Sequence, residues 1–318
     1  MMLSSKSNSV KGNIFTVIVT YNGMHWIKEC LDSVYLNSTV ILVDNCSSDN
    51  TISFITKNYE DVLVLKQDEN LGFGKANNLG ISHALSNGAD YILLLNQDAK
   101  MIEGSIDKLF NFAKVNSDYG ILSPVHCDWS GNYLESSFSS YVSYVHNKEF
   151  YSDFVLNRSI KPVYDLPFVA AACWFIPKKV FETIGGFDPI FFHLGEDVNY
   201  AQRLSYYGYK IGVLPDIKVH HDTKDRKSIK IEPYSKDYYY KINYRNKVKY
   251  ADINLDNWKT KLNYNKRQVL KTVILSLASF KFKNAKGAYK EYVSYNSLSK
   301  ECDMSRMINK EPGSHYLS

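Results

Sequence analysis

Cysteine is scarce in this chain of 318 residues and forms no pattern. The five cysteines are odd in number and scattered, which argues against a disulfide framework. No CxxC pair or Cys/His ligand spacing occurs, so a zinc site is not indicated either. This usage favours a reducing compartment, and we expect a cytoplasmic protein. The cysteines are Cys30, Cys46, Cys127, Cys173 and Cys302.

Long hydrophobic runs are also missing from the sequence. The longest apolar-rich stretch near the C-terminus, VLKTVILSLASF, carries a lysine and is too short to cross a bilayer. The segment MMLSSKSNSVKGN at the N-terminus is polar and has no apolar core, so we expect no signal peptide. These absences are typical of a globular protein without a membrane-spanning helix.

Two glycine-rich nucleotide loops are absent as well. No GxGxxG follows the first predicted strand, and no GxxxxGK[ST] occurs, which argues against a Rossmann dinucleotide site and a P-loop. The glycine-rich stretch NLGFGKANNLG instead follows the third predicted strand. Its small residues would let the backbone approach a ligand closely, and Lys75 could meet a phosphate.

Hydrophobic residues are plentiful, and positive charge is unevenly placed. The hydrophobic content of 45% suffices for one large domain or one domain with an appendage. Between residues 224 and 290 there are 18 lysines and arginines against five acidic residues, although the whole chain carries only +5. An acidic-leaning body and a basic, tyrosine-rich tail predict two separate roles.

Short apolar runs alternate with helix-like segments through the first half of the chain. Each run is typical of a strand buried on both faces of a parallel sheet. The alternation predicts an α/β fold with an open, mostly parallel sheet and helices on both sides. The predicted strands are 15–21, 39–45, 62–67, 91–98 and 120–125, and the predicted helices are 24–36, 51–58, 74–86 and 105–115.

Polar residues follow the predicted strands at the point where each strand ends. In open α/β sheets, ligands bind beyond the carboxyl ends of the strands. The first strand ends with Thr20 and Asn22, the second with Asp44, and the fourth with the Asn96-Gln97-Asp98 triplet. Their shared position predicts a polar crevice that suits a nucleotide.

Two adjacent acids, Glu196 and Asp197, begin a predicted helix that runs to about Tyr207. Acids in the first turn face the positive end of the helix dipole. We therefore expect the dipole to keep both side chains ionised.

Seven motifs together resemble glycosyltransferase family 2, and within it the bacterial rhamnosyltransferase branch. The resemblance covers about residues 14–250. It implies a GT-A fold with a catalytic domain at 14–225, divided into a nucleotide-binding half (about 14–127) and an acceptor half (about 128–225). A basic, helical C-terminal extension at 226–318 would follow. The motifs are VTYN (19–22), VDNCSSDNT (43–51), NLGFGKANNLGI (70–81), LLLNQDA (93–99), GGFDPIFF (185–192), GEDVNYAQRL (195–204) and YYYKINYRN (238–246).

The resemblance implies inverting transfer of a sugar from a nucleotide-diphosphate donor, with Mn²⁺ or Mg²⁺ as cofactor. Asp98 matches the metal-binding acid of the Asp-x-Asp-like motif, with Asn96 in place of its first acid. His221 or its neighbour His220 matches the metal-ligating histidine, and spacing from Pro215 favours His221. Asp44 would accept the N3–H of uracil or thymine. The residues implied around the nucleotide are Thr20, Asn22, Asp44, Lys75, Asn78, Asn96 and Gln97.

On the acceptor side, the resemblance makes Asp197 the general base that removes the acceptor hydroxyl proton. Glu196 would position the acceptor or the base. Arg203 would hold Glu196 or Asn199, or reach a phosphate. Trp174, in the apolar stretch 168–175, would stack on a sugar or pack in the core.

The best-matching reaction moves L-rhamnose from dTDP-rhamnose to a growing cell-surface polysaccharide or a lipid-linked oligosaccharide. A UDP-hexose or UDP-N-acetylhexosamine transferase is an alternative, and so is a non-catalytic nucleotide- or glycan-binding relative, because Asn96 and Asn199 stand where related sequences carry acids. A nucleotidyltransferase would need a basic, glycine-rich loop after the first strand, which VTYNG lacks.

The basic, tyrosine-rich tail, with a predicted helix near 268–282, suits anionic lipid headgroups at the inner face of the plasma membrane. Contact between two copies in a homodimer is the alternative. No nucleic-acid-binding module is recognised, so we expect no nucleic-acid partner.

Overall fold

The computed structural model describes residues 13–224 and 231–317. The segment at 1–12, for which no signal peptide is expected, and the predicted domain boundary at 225–226 lie outside these ranges.

One mixed sheet forms the centre of the molecule, in the order β3-β2-β1-β4-β8-β6-β9-β5 with β7 beside β9. Strands β1 to β4 are parallel to one another, whereas β8 is antiparallel to both β4 and β6. Strand β9 is parallel to β6 and antiparallel to β5 and β7. The strands are β1 (Ile14–Thr20), β2 (Thr39–Asp44), β3 (Leu63–Lys66), β4 (Tyr91–Asn96), β5 (Ala99–Met101), β6 (Tyr119–Cys127), β7 (Tyr164–Leu166), β8 (Cys173–Pro177) and β9 (Lys210–His221).

Helices cover both faces of the sheet and continue into a C-terminal group. The three last helices make up that group, and the others belong to the sheet-containing body. The helices are α1 (Ile27–Asp32), α2 (Thr51–Asn58), α3 (Phe73–Ser86), α4 (Ser105–Val115), α5 (Ser136–Tyr141), α6 (Lys148–Val155), α7 (Lys178–Ile184), α8 (Glu196–Tyr206), α9 (Lys236–Tyr250), α10 (Trp258–Ala278) and α11 (Phe282–Asn309).

Two hydrophobic cores lie on opposite faces of the sheet, as the alternation of side chains along a strand requires. On β1, Val17 belongs to one core and the next residue, Ile18, belongs to the other. Both residues are fully buried. Strands of this kind are apolar at nearly every position, which is why the sequence shows continuous apolar runs.

The three C-terminal helices have a small core of their own around Tyr250, Trp258 and Tyr295. The end of α11 also joins the sheet-containing body, because Ser305 and Asn309 donate hydrogen bonds to the buried carboxylate of Asp188, at 2.5 and 2.8 Å. No helix within residues 13–224 and 231–317 has the length and apolar character needed to cross a bilayer.

Candidate active site

The carboxyl ends of three parallel strands meet at one edge of the sheet and open into a cavity. Thr20 at the end of β1 lies opposite Asp44 at the end of β2, and Val19 lies opposite Asn96 at the end of β4. The cavity measures about 530 Å³, which is a typical size for a small-molecule site. It is lined by Val19, Tyr21, Asn45, Asn70, Gly72, Phe73, Asn96, Gln97, Asp98, Phe192, His193 and Tyr240.

Asp98 and His221 face each other at this cavity. Oδ1 of Asp98 lies 3.4 Å from Nε2 of His221. The two residues meet because β5 pairs with the end of β9, with Ala99 opposite His221. Alternation along β9 turns His220 to the other face, where its ring packs against Gly131. His221, and not His220, is therefore the partner of Asp98.

Two buried residues that the sequence analysis did not identify hold the other side of His221. Oε2 of Glu135 lies 3.2 Å from Nδ1 of His221 and 3.4 Å from Nδ1 of His126. One ligand atom from each of these three buried side chains lies within 4.8 Å of the others. Glu135 thereby fixes the His221 ring with Nε2 directed toward Asp98, an arrangement that recurs around metal-ligating histidines.

The charges around His221 favour its protonated form. Burial opposes protonation, but the hydrogen bonds and charges of Asp98 and Glu135 outweigh it and raise the pKa of His221 to about 9. Burial alone would raise the pKa of Glu135, yet its bonds to His126 and His221 hold that pKa well below its usual range. Burial lowers the pKa of His126 despite the neighbouring Glu135. The site thus attracts positive charge, as a cation-binding site must.

The side chain of Gln97 forms part of the cavity wall and is held there by β1. Its Oε1 accepts hydrogen bonds from the Thr20 hydroxyl at 2.7 Å and from the Tyr21 backbone N–H at 3.0 Å. Gly23 allows this close approach, because a Cβ atom at that position would lie 2.2 Å from Oε1 of Gln97. Thr20 is fully buried and supports the wall, whereas Asn96 and Gln97 line it.

The motifs VTYN and VDNCSSDNT interlock beside the cavity. Oδ1 of Asn22 accepts hydrogen bonds from the backbone N–H groups of Ser48 and Asp49, at 2.8 and 3.3 Å. Oδ1 of Asp44 accepts one from the N–H of Ser47 at 3.1 Å. Asn22 therefore shapes the turn after β2. Asp44 is almost fully buried at the strand end, and its contact with a base stays a prediction.

The predicted nucleotide contact of Asn78 is wrong, because its amide is used inside the protein. Nδ2 donates to the carbonyl oxygen of Phe187 at 2.8 Å, and Oδ1 accepts the N–H of the same residue at 2.7 Å. Asn78 is buried and joins α3 to the loop before α8. Lys75 is exposed on α3 and is not among the residues that line the cavity, so its phosphate contact stays a prediction.

Glu196 and Asp197 begin α8 as expected, after Gly195. Glu196 is buried, and the structure gives its Oε2 atom no hydrogen-bond partner. Asp197 is half-buried, and its Oδ1 accepts the backbone N–H of Val198 at 2.8 Å. Asp197 lines a second cavity of about 420 Å³ with Tyr141, Phe168, Leu194, Gly195, Val198, Tyr244, Arg245 and Val248.

Asp98 and Asp197 thus line two neighbouring cavities, which a short segment divides. Phe192 and His193 line the first cavity, and the next residue, Leu194, lines the second. A glycine at position 72 leaves room for this segment, since a Cβ atom there would lie 2.0 Å from the carbonyl oxygen of Phe192. We refer to residues 192–194 as the dividing segment.

Burial works against the expected effect of the helix dipole, which is to keep both acids ionised. Burial, followed by the charge of Asp197, raises the pKa of Glu196 to about 7. Burial also raises the pKa of Asp197, although backbone N–H groups of Val198 and Ala171 oppose the rise. Loss of hydration therefore outweighs the dipole at this helix start. A carboxylate with a raised pKa is a stronger proton acceptor, which suits a general base.

Arg203 does not reach a phosphate, because its guanidinium is fully buried and its hydrogen bonds end inside the protein. Nε donates to Oδ1 of Asn199 at 3.1 Å, as one of the sequence-based alternatives expected. The other bonds go to the carbonyl oxygens of Ile184 and Gly186 and to Oδ1 of Asn309, at 2.9, 2.6 and 3.1 Å. Arg203 ties α8 to the end of α11.

Trp174 is a core residue and not a sugar-stacking platform. Its side chain is fully buried on β8, where the ring stacks on Phe187 with centroids 6.1 Å apart and packs on Tyr200. Its indole N–H donates to the carbonyl oxygen of Val169 at 3.2 Å. Of the two alternatives for Trp174, core packing is the one that the structure shows.

The sequence carries a family signature across this site. The model of the family described as Glycosyl transferase family 2 matches residues 16–185, more than half of the chain. The chain belongs to glycosyl transferase family 2. The match spans β1 to β4 and Asp98, which confirms the resemblance drawn from the motifs.

Two proteins named as rhamnosyl transferases are similar to this chain over about three quarters of their length. The chain is 28% identical over 228 residues to the dTDP-rhamnosyl transferase RfbF of Shigella flexneri, covering 70% of this chain and 73% of that protein. It is 27% identical over 232 residues to the N-acetylglucosaminyl-diphospho-decaprenol L-rhamnosyltransferase of Mycobacterium tuberculosis, covering 64% and 74%. The chain is therefore a glycosyltransferase that resembles rhamnosyltransferases.

Solved structures confirm the predicted fold. The mannosyltransferase PcManGT of Pyrobaculum calidifontis, solved with GDP-Man and Mn²⁺, superposes with a TM-score of 0.52 at 17% identity. The superposition covers 95% of this chain and 88% of that one. Like such GT-A family members, this chain has a mostly parallel mixed sheet flanked by helices, followed by C-terminal helices.

Proposed function

We propose that this family 2 member is an inverting, metal-dependent transferase that moves a hexose from a nucleoside-diphosphate sugar to an acceptor hydroxyl. The observation that carries the proposal is the pairing of Asp98 with His221 at the strand-end cavity, next to a second cavity that contains Asp197. The first cavity would hold the donor, and the second would admit the acceptor.

Asp98 and His221 fit a divalent cation. A carboxylate oxygen and an imidazole nitrogen converge at 3.4 Å, and Glu135 already holds the far side of the ring. Such oxygen and nitrogen donors are common ligands of first-row divalent metals. When bound, the cation would neutralise charge that develops on the diphosphate leaving group.

Asp197 would act on the acceptor. Its carboxylate would accept the hydroxyl proton while the acceptor oxygen forms a bond to the anomeric carbon and the bond from that carbon to the diphosphate oxygen breaks. The products are the glycosylated acceptor and a nucleoside diphosphate, and the proton stays on Asp197 until solvent removes it. Glu196, buried beside Asp197, would position the acceptor or the base.

The proposed donor is dTDP-L-rhamnose, because both similar proteins named above are rhamnosyltransferases and one uses a dTDP donor by name. Asp44 would accept the imide N–H of thymine. The second of these proteins acts on a diphospho-decaprenol glycan by name, so a lipid-linked glycan is the proposed acceptor. UDP-hexoses and UDP-N-acetylhexosamines are the alternative donors.

The position of Asn199 removes one of the two grounds for a catalytically silent relative; the other, Asn96, lines the first cavity. Asn199 is fully buried and bonds to Arg203, away from the residues that line either cavity. An asparagine at position 199 therefore affects the packing of α8 and not the residues proposed to bind the metal or the acceptor. Asp98 and Asp197, which carry the proposed chemistry, are both present.

Thermal shift and turnover measurements with a panel of nucleotide sugars test the proposal. The panel contains dTDP-L-rhamnose, UDP-glucose, UDP-N-acetylglucosamine and GDP-mannose, each with and without Mn²⁺. We expect the largest Mn²⁺-dependent stabilisation with dTDP-L-rhamnose. In Asp197→Asn, turnover should fall by at least about 100-fold while donor-induced stabilisation remains.

Asp98→Asn should lose the Mn²⁺-dependent part of the stabilisation. Asp216→Asn is the matched control, because Asp216 is exposed and paired with Lys108 at 2.9 Å. The proposal is wrong if no nucleotide sugar stabilises the protein, or if Asp197→Asn turns over like the wild type. A UDP-sugar preference would replace the donor and leave the reaction class intact.

A further inference from the structure

The turn between α10 and α11 exposes several large apolar side chains. Phe280, Leu275 and Phe282 are 81%, 67% and 64% exposed, and Ile274 and Leu277 are exposed beside them. We refer to residues 274–286 as the hairpin tip. Scattered single apolar residues are normal on a protein surface, but five exposed apolar residues close together in the chain, two of them in ring contact, indicate an interaction site.

Packing between the two helices does not account for these residues. Val273 and Ser276 on α10, and Ala285 and Ala288 on α11, are the buried positions near the turn. The exposed apolar residues lie on other faces of the same helices, so they are additional to the contact that holds the hairpin together.

The charged residues within and next to the hairpin tip in the sequence have one sign. Between residues 268 and 290 there are five lysines and no aspartate or glutamate. Three of the lysines, Lys281, Lys283 and Lys286, follow Phe280 directly in the chain and are exposed. Exposed aromatic and aliphatic side chains within a ring of lysines match the boundary of an anionic bilayer, where lysines meet phosphates and apolar groups enter the acyl region.

The base of the hairpin tip is linked to the wall between the cavities through α9. Tyr239 donates a hydrogen bond to the carbonyl oxygen of Gly287 at 3.0 Å, and its neighbour Tyr240 donates one to His193 in the dividing segment at 2.5 Å. Gly287 is five residues beyond Phe282, which corresponds to about 7–8 Å along a helix. One turn of α9 therefore contacts both the base of the hairpin tip and the wall between the cavities.

We propose that the hairpin tip is a docking surface for an anionic phospholipid bilayer. The apolar side chains insert at the level of the headgroups, and the lysines bind lipid phosphates. Docking would place the two cavities close to the bilayer surface, where a lipid-linked acceptor is held. Only this last consequence rests on the proposed function, since the docking itself follows from the hairpin.

Co-sedimentation of the full chain with large unilamellar vesicles tests the inference. One vesicle type contains equal parts of phosphatidylglycerol and phosphatidylcholine, and the other contains phosphatidylcholine alone. We expect binding to the anionic vesicles that weakens with added salt, and little binding to the neutral ones. The double variants Phe280→Ser/Phe282→Ser and Lys281→Glu/Lys283→Glu should each weaken binding by at least about tenfold.

Matched controls separate the tip from general surface properties. Val115→Ser removes an apolar side chain that is 77% exposed on α4, and Lys57→Glu reverses an exposed charge on α2. Both controls should bind vesicles like the wild type. All variants should keep the wild-type melting temperature and nucleotide-induced stabilisation, so a failure of the proposed function would show in the nucleotide arm alone.

Three results would overturn the inference. The wild type could fail to bind anionic vesicles, the tip variants could bind as well as the wild type, or neutral vesicles could bind equally well. Analytical ultracentrifugation tests the alternative partner, which is a second copy of this chain. A dimer that the Phe280→Ser/Phe282→Ser variant abolishes, without vesicle binding by the wild type, would make the hairpin tip a contact between two copies of the chain.

Discussion

The hydroxyl of Tyr240 donates a hydrogen bond of 2.5 Å to the backbone carbonyl of His193. Tyr240 lies on α9 in the C-terminal group, and His193 lies in the dividing segment between the two cavities. A residue far along the chain thus holds the wall that separates the proposed donor site from Asp197. Tyr240 also lines the first cavity itself.

Replacing Tyr240 by phenylalanine should weaken nucleotide binding with little effect on stability. The ring still fills its place, but the dividing segment loses its anchor and must be ordered when the nucleotide binds. A hydrogen bond contributes roughly 1 kcal/mol, so we expect about a fivefold rise in the dissociation constant. Isothermal titration calorimetry measures it. Tyr264→Phe on the exposed side of α10 is the control, and equal affinities in both variants would contradict this role.

Replacing Arg203 by methionine should destabilise the protein without changing its donor affinity. The substitution leaves Oδ1 of Asn309 and two buried carbonyl groups without a donor, and it removes a charge near the buried Asp188. Loss of a buried, fully bonded charge costs roughly 3–5 kcal/mol. Urea denaturation measures the change, with exposed Arg267→Met on α10 as the control. A raised KM for the donor with unchanged stability would restore a phosphate-binding role.

Replacing Glu196 by glutamine should remove a pH-dependent loss of stability. The pKa of Glu196 is about 7 in the folded protein and 4.5 as its ordinary value. The folded state therefore holds the proton more tightly, and the wild type loses stability as pH rises from about 4.5 to about 7. Glutamine does not titrate, so the free energy of unfolding of the variant should rise relative to that of the wild type by roughly 2–3 kcal/mol across this interval.

Urea denaturation at a series of pH values follows that difference. Glu182→Gln is the control, because Glu182 is more than half exposed on α7 and pairs with exposed Lys178 at 3.6 Å. Its difference from the wild type should stay nearly constant with pH. A constant difference for Glu196→Gln as well would mean that the carboxyl is ionised throughout, as the helix dipole alone predicts.

Replacing Glu135 by glutamine should weaken metal binding. The carboxylate fixes the His221 ring from the buried side, and its loss frees the ring to turn away from Asp98. Loss of such a supporting carboxylate typically lowers metal affinity about 10- to 100-fold. Calorimetric titration with Mn²⁺ in the presence of nucleoside diphosphate measures the metal affinity. Glu149→Gln at the exposed pair with Lys161 should bind Mn²⁺ like the wild type.

A fall in melting temperature for Glu135→Gln with unchanged Mn²⁺ affinity would assign Glu135 a structural role alone. Glu135→Asp is the companion variant, because it keeps the charge and shortens the side chain. Partial recovery of affinity in Glu135→Asp, relative to Glu135→Gln, would support the role in positioning His221.

Local patterns in the sequence predict individual helices and strands more reliably than they predict which residues meet in the folded protein. The helices at 51–58 and 105–115 have the predicted bounds. The bounds of β1, β2 and β4 differ from the predicted ones by at most two residues. Those elements have strong local signals, namely continuous apolar runs and helical periodicity. In contrast, the predicted helix near 268–282 is wrong in extent, since α10 ends at Ala278 and α11 begins at Phe282. Phe280 makes the turn with a φ of +56°, and neither glycine nor proline marks it.

The candidate site shows a similar division. Asp98, His221 and Asp197 follow from the family resemblance; the structure places Asp98 and Asp197 at cavities and His221 beside Asp98. Glu135 and His126 belong to no motif, and their meeting with His221 depends on the pairing of β6 with β9. Asn78 and Arg203 are motif residues whose partners are backbone groups and side chains far along the chain. A motif alone does not distinguish a ligand contact from such an internal bond.

The position of β8 in the sequence determines when the central sheet can be completed as the chain is synthesised. This strand pairs with β4, yet 76 residues lie between Asn96 and Cys173. Until the ribosome has released Pro177, the growing polypeptide carries an apolar strand whose outer edge has no neighbour, and such an edge is prone to aggregation. Nascent chains that stop before β8 are therefore the form of this protein that most needs a chaperone.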